Sequence, residues 1–279
     1  MTAFIHHFAF EFRSGIRNKQ LLLMNYLFPI GFFLMMGFVM AAINPLFLDT
    51  MTPAMVVFAV LAATLLGIPD PLVNARENGI FRSYKINGVP SISILVIPVL
   101  TTMLHLVIVT AIITITAPLL FKAPAPVNWL NYALAFAALA FAMASISVLI
   151  GVVSPNSRVT VLYSQIFFIP SILLAGMMFP YEMLPDTVGK IARLLPATQA
   201  MNAFKGLAMG AAADFDPWMS VIVLLVGGLM AFGLAIYLFS YVPLVGGALT
   251  SIMLAGGVMV TLKILRNETF RFSKDQGTL

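Results

Sequence analysis

Asp70-Pro-Leu-Val-Asn-Ala-Arg-Glu-Asn-Gly-Ile-Phe-Arg-Ser-Tyr-Lys85 decides how this chain folds, because of what stands on either side of it. Residues 50–69 before it and 86–121 after it carry no charge. The stretch itself holds Asp70, Arg76, Glu77, Arg82 and Lys85, in a chain of which only 9% is charged. Ionised side chains at that density need water, whereas about 20 apolar residues are what a helix needs to cross hydrocarbon. The pattern reads as two membrane-spanning helices joined by a solvated segment that a soluble partner can touch.

The same alternation runs through the chain. Residues 20–48, 123–157, 159–181 and 217–262 are also uncharged. Proline and turn residues trim the runs to spans near 21–43, 51–69, 92–120, 130–153 and 159–178. The sixth run has room for two crossings, with Tyr241-Val-Pro-Leu-Val-Gly-Gly247 as a natural break. With 61% apolar residues, against roughly half in a soluble domain, the chain cannot hide its apolar surface by folding on itself. The expected fold class is all-α: a polytopic membrane protein of six transmembrane helices, with 243–262 as a seventh apolar segment. No repeat or linker divides it, so one membrane domain, 1–279, is expected.

Phe4, Phe8, Phe12 and Ile16 recur every four residues and mark one stripe of a helix. Arg13, Arg17 and Lys19 follow at its C-terminal end, where cations suit the helix dipole and anionic headgroups. Residues 1–20 therefore read as an interfacial amphipathic helix among membrane lipids, or as an extension of the first span. No small-residue cleavage site follows, so this is not a secretory signal. With the N-terminus inside, the inner segments carry Arg13, Arg17, Lys19, Arg76, Arg82, Lys85 and Arg158. The outer segments carry Lys122, Lys190, Arg193 and Lys205. The tail cations Lys263, Arg266, Arg271 and Lys274 belong inside by the same rule, which six crossings satisfy and seven do not. A re-entrant 243–262, a crossing by 197–213, or a tail that breaks the rule are the alternatives.

The chemistry available is narrow. The chain has no Cys, which removes disulfides, thiolate metal sites and cysteine nucleophiles. It has no H-E-x-x-H, no G-x-S-x-G and no G-x-x-x-x-G-K-[ST], so no P-loop for ATP. No catalytic residue, metal ligand or cofactor is expected, nor a nucleic-acid partner. Within the expected spans no carboxylate is found, although ion-coupled carriers usually keep an intramembrane ionisable group. His105, just past Pro98, reads as an interhelical hydrogen-bonding side chain, with a proton relay as the alternative, and Gln165 is read likewise.

Val73–Lys85 can form about three helical turns. Asn74 would cap the start with Glu77 at the third helical position, a variant of the capping box. Arg76, Glu77, Arg82 and Lys85 give this helix a polar face, and Ile80, Phe81 and Tyr84 an apolar one. It is either a docking element or a solvated loop whose apolar face lies on the membrane.

Arg76-Glu77-Asn-Gly79-Ile-Phe-Arg82-Ser-Tyr84, followed by Gly88-Val-Pro90, resembles the cytoplasmic loop of the ABC type-2 permease family, the membrane subunits of ATP-driven exporters. A second block agrees: Leu174-Ala-Gly176-Met-Met-Phe179-Pro180, then Leu184-Pro185, then Leu195-Pro196-Ala-Thr198. Pro29 and Ser154-Pro155 also fit, and the resemblance covers about residues 1–240. It implies a permease working as a homodimer or heterodimer with separate ABC ATPase subunits, which bind the ATP. It implies a coupling region at 70–90, with Arg76 and Glu77 as polar ATPase contacts and Gly79, Arg82 and Tyr84 in support. It implies an outer re-entrant hairpin at 180–213 with Gly176, Phe179, Pro180, Pro185 and Pro196 at a gate, and a location in the cell (inner) membrane with the N-terminus cytoplasmic. The segment 243–279, an extra apolar stretch with a basic tail, departs from the family. The Phe- and Met-rich spans suit export of a hydrophobic, lipid-like or drug-like cargo. An ion-coupled carrier or channel is the competing function.

Overall fold

The computed structural model describes residues 2–43, 47–86, 91–178 and 181–245; for residues 2–7, 41, 82, 83, 85, 91, 182, 186 and 240–245 it describes the backbone alone. Helix is the only regular structure among the described residues. In chain order they are α1 (Thr2–Arg17), α2 (Lys19–Leu22), α3 (Phe28–Ile43), α4 (Phe47–Leu61), α5 (Pro69–Glu77), α6 (Ile80–Ile86), α7 (Ser91–Phe121), α8 (Trp129–Val153), α9 (Ser157–Leu174), α10 (Asp186–Ala192), α11 (Pro196–Ala203) and α12 (Pro217–Val245). Single π turns at Leu23–Leu27, Ala62–Leu66 and Phe204–Ala208 join α2 to α3, follow α4, and follow α11.

Among the described residues, six helical stretches are long and apolar enough to cross a membrane: Lys19–Met40, Phe47–Glu77, Ile92–Phe121, Trp129–Val153, Ser157–Leu174 and Pro217–Phe239. These match the six expected spans, and the chain is an all-α polytopic membrane protein. The segment 197–213 is not a seventh. Its helical part, α11 with the following π turn, is 8 plus 5 residues. That is about 20 Å against about 30 Å of hydrocarbon. The chain divides into two compact units, Met1–Leu238 and Phe239–Leu279. Of the second, only 239–245 are described. There α12 stays helical through Pro243 to Val245, so no break falls at Tyr241–Val245. The rest of the expected break and the basic tail lie outside the described residues.

Within the first unit, α4 is the axis. The best spanning window of Phe47–Glu77 is 94% buried, against 28%, 22% and 28% for the first, fifth and sixth spans. Small residues make this possible: Ala54, Ala59, Ala62 and Ala63 on the second span and Ala135, Ala138 and Ala142 on α8 are all buried. Small side chains let helix backbones approach closely where lipid offers no hydrophobic drive. Gly37 leaves the room that the Phe121 ring fills, and Phe33 and Phe38 meet that ring edge-on at 5.6 and 5.0 Å. Gly228 brings α12 onto Ala142 and Phe141 of α8.

Some polar side chains tie one helix to another. Tyr26 Oη and His105 Nδ1 share a hydrogen bond of 2.6 Å, and Phe12 stacks on the His105 ring at 4.6 Å. His105 therefore joins α1, the first span and α7, as the interhelical reading expects. Thr114 and Tyr132 pair at 2.6 Å across α7 and α8.

The bundle has two distinct ends. At one, α5 stands beside the short link between α8 and α9. At the other, the α7–α8 link meets the third π turn: the N–H groups of Val127 and Asn128 both donate to Ala208 O, at 2.8 and 3.1 Å.

Candidate functional site

Sequence reasoning drew Val73–Lys85 as one capped helix. The structure corrects this. Asn74 lies in the middle of α5, which begins at Pro69 after Ile68, a cap with no side-chain hydrogen bond. Pro69 has no N–H to offer, which suits the first helical position, where that donor would have no partner anyway. Asn74 instead accepts a helix-internal role: its Nδ2 donates to Asp70 Oδ2 at 3.0 Å. The helix then stops at Gly79, whose φ of +70° is the left-handed conformation that favours glycine. α6 starts afresh at Ile80.

The first half of the charged segment is thus the protruding end of the second span. Phe47–Glu77 has 31 residues. At 1.5 Å per residue that is about 46 Å, well beyond the hydrocarbon core. Asp49 near one end and Glu77 at the other therefore reach water. The tip is open: Glu77, Asn78, Gly79 and Ile80 are all exposed.

Behind the tip, the arm is fastened to its own chain. Arg76 is half-buried, and its guanidinium donates to Val152 O at 3.0 Å and to Ser154 O. Ser157 Oγ donates to Asn74 Oδ1 at 3.2 Å. Gly151 packs so tightly that a Cβ there would lie 2.8 Å from Leu72 Cδ2. On the opposite side, α1 and α6 approach one another. Burial pushes the Tyr84 phenol above its ordinary pKa, and the nearby Glu11 carboxylate raises it further. A cavity of about 220 Å³ lies here, lined among others by Glu11, Gly15, Tyr84 and His105. Gly15 permits the contact of α1 with α7, since a Cβ at that position would sit 2.5 Å from His105 Nε2. The Arg82 side chain, Gly88 and Pro90 lie outside what is described.

At the other end, Tyr181 donates to Gly189 O at 2.8 Å and accepts from Arg193 Nε at 2.9 Å. The Arg193 guanidinium also lies over the Phe215 ring at 4.9 Å. Pro185 precedes α10 and Pro196 opens α11, both as helix-start residues. Gly176 has a φ of +79° and ends the fifth span's run. Phe179 and Pro180 lie outside the described residues. Asn202 organises the return: its Nδ2 donates to Phe215 O and Ser220 Oγ, both at 2.9 Å. Its Oδ1 accepts from the N–H groups of Asp214 and Phe215. Lys205 and Asp214 form an ion pair at 3.3 Å with both side chains only 10% exposed. Nothing in the sequence marked Asn202 or this pairing.

Six apolar helices among the described residues, with solvated elements at both ends, define a multi-pass membrane protein. The family described as ABC-2 type transporter matches residues 2–209, and the chain belongs to that family. It carries the membrane-spanning part of an ABC-2 type transporter. Among curated proteins, the Nodulation protein J of Sinorhizobium fredii (strain NBRC 101917 / NGR234) is 29% identical over 65 residues. That match spans 23% of this chain and 25% of the relative's length.

Proposed function

We propose that this chain is the permease of an ATP-driven exporter, paired with a second permease and two ABC ATPase subunits, and that the arm at Pro69–Ile86 is where the ATPase docks. The observation that carries the proposal is the exposed Glu77–Ile80 tip on the end of the most buried span. A contact there bears on the centre of the bundle and not on its rim. Glu77 is the polar contact, Arg82 and Tyr84 support it, and Gly79 shapes the tip. The arm end faces the cytoplasm of a cell (inner) membrane, in keeping with Arg13, Arg17, Lys19, Arg76, Arg82, Lys85 and Arg158 at that end. ATP-driven closure of the ATPases acts by binding two bundle states with unequal free energy.

The cargo is hydrophobic, with a polar head. A hollow of about 440 Å³ opens between the first, second and fifth spans near the arm end. Gln20, Asp70, Arg158 and Gln165 give it polar groups, and Met24, Leu65 and Val161 give it apolar wall. That lining supports an amphipathic lipid-like or drug-like molecule. At the opposite end, the hairpin of α10 and α11 stands as the exit gate, with Gly176, Pro185 and Pro196 at its turns.

Glu77→Lys reverses the charge at the tip without touching the core. ATPase co-purification is expected to fall at least about tenfold, the loss for a contact charge worth about 1.4 kcal/mol or more. Undiminished association together with undiminished ATP-driven export would overturn the docking assignment. A reporter fused after Leu279 is expected to be active on the cytoplasmic side, and one active only outside would overturn the proposed orientation.

A further inference from the structure

We infer that Arg76 works inside the chain, as a positioning residue that makes the arm move together with the fourth and fifth spans. The inference rests on the proposed docking of an ATPase at the arm. Its basis is where the guanidinium goes. Val152 lies in the last turn of α8 and Ser154 is its C-cap. Carbonyls at a helix C-terminus have no intrahelical donor and carry the negative end of the dipole. A planar guanidinium can serve two such oxygens at once, which a lysine ammonium cannot do with the same fixed geometry. Arg76 thus caps α8 from a residue 76 and 78 positions earlier in the chain.

The cap is one point on a seam. Leu72 and Pro69 pack against the bare Cα of Gly151, and Asn74 takes the hydrogen bond of Ser157 at the start of α9. Positions 69, 72, 74 and 76 of the arm therefore all engage residues 151–157. Beyond them, Gly79 has open space around it, with no atom within 4 Å of a Cβ built there. A push on the tip can turn α6 about Gly79. It cannot displace α5 without carrying the end of α8 and the start of α9 along. Arg76 is consequently a transmission contact, and recognition of the ATPase falls to the exposed residues next to it.

The chain has no native cysteine, so labels can be placed at single sites. The complex with its ATPase subunit is reconstituted in lipid nanodiscs, with a fluorophore on Leu194→Cys in the exposed hairpin. In Arg76→Gln, ATPase binding and hydrolysis are expected within about twofold of the parent, while the ATP-dependent fluorescence change falls about tenfold, the equivalent of one lost charge-assisted hydrogen bond. Arg76→Lys recovers part of the change. An unaltered fluorescence response in Arg76→Gln overturns the inference. So does a tenfold loss of ATPase binding in both variants, which would make Arg76 a docking contact. If the parent chain retains no ATPase subunit, the docking proposal fails, and the tie is judged without it. Spin labels at Asn78→Cys and Arg158→Cys should then give one narrow distance population in the parent and a broadened one in Arg76→Gln; equal widths overturn the tie. Should Arg76→Gln not assemble, Arg76→Lys is read by the same distance, with intermediate broadening expected and none overturning the tie.

Discussion

Lys205→Ala is expected to cost about 3 kcal/mol of stability, the lower end of what breaking a buried ion pair costs. The pair with Asp214 spans 3.3 Å with both side chains 10% exposed, so water screens it little. Truncating the lysine removes the cation while the Asp214 carboxylate stays enclosed. Asp214 keeps further contacts, among them its N–H donating to Asn202 Oδ1 at 2.8 Å, which is why the lower end is chosen. Removing both charges, in Lys205→Met with Asp214→Leu, should recover most of the loss, since neither charge is then stranded. Thermal unfolding in nanodiscs reads both variants. A loss under about 1 kcal/mol for the single change would mean that the pair behaves as a solvated one.

The second large effect is expected at Gly67, between the second π turn and the arm. Its φ of −98° suits any residue, so the restriction there is one of space. A Cβ would lie 2.3 Å from Ala63 O and 3.2 Å from Asn25 Oδ1. The first neighbour is backbone and cannot rotate away. Gly67→Ala should therefore force the π turn to shift and cost about 1–3 kcal/mol, as overpacking does. Because α5 begins two residues later, ATPase co-purification should weaken as well. Gly31→Ala is the matched control. Nothing lies within 4 Å of a Cβ there, and alanine favours a helix over glycine by about 1 kcal/mol. That variant should be as stable as the parent or more so. Equal behaviour of the two would remove the steric explanation.

Charge-free runs were enough to find the six spans, because an ionised group in hydrocarbon is so costly that its position marks where a span ends. The same rule puts Asp70 and Glu77 in water, where they lie, but does not show that the helix resumes after Gly67 and carries them there. A helix can outrun the membrane, and charge alone does not register it. Gly79 was legible as a turn residue only in hindsight of its positive φ, since Asn74 and Glu77 offered a competing cap. His105 was read correctly as an interhelical group because a lone imidazole at that depth needs a partner. Which partner, Tyr26, depended on packing 79 residues away. Arg76 was unreadable for the same reason. Its local surroundings suit docking as well as capping, and the carbonyls it reaches belong to a distant helix end.

The π turn at Ala62–Leu66 has a consequence at the level of the gene. Such a turn is an α-helix with one residue too many. Each residue advances a helix by about 100°, so the extra one sets the angular phase of all that follows in the second span. A three-nucleotide deletion within these five codons would leave a more regular helix and a better-looking hydropathy profile. It would also rotate Glu77 away from its present heading and turn Arg76 off the end of α8.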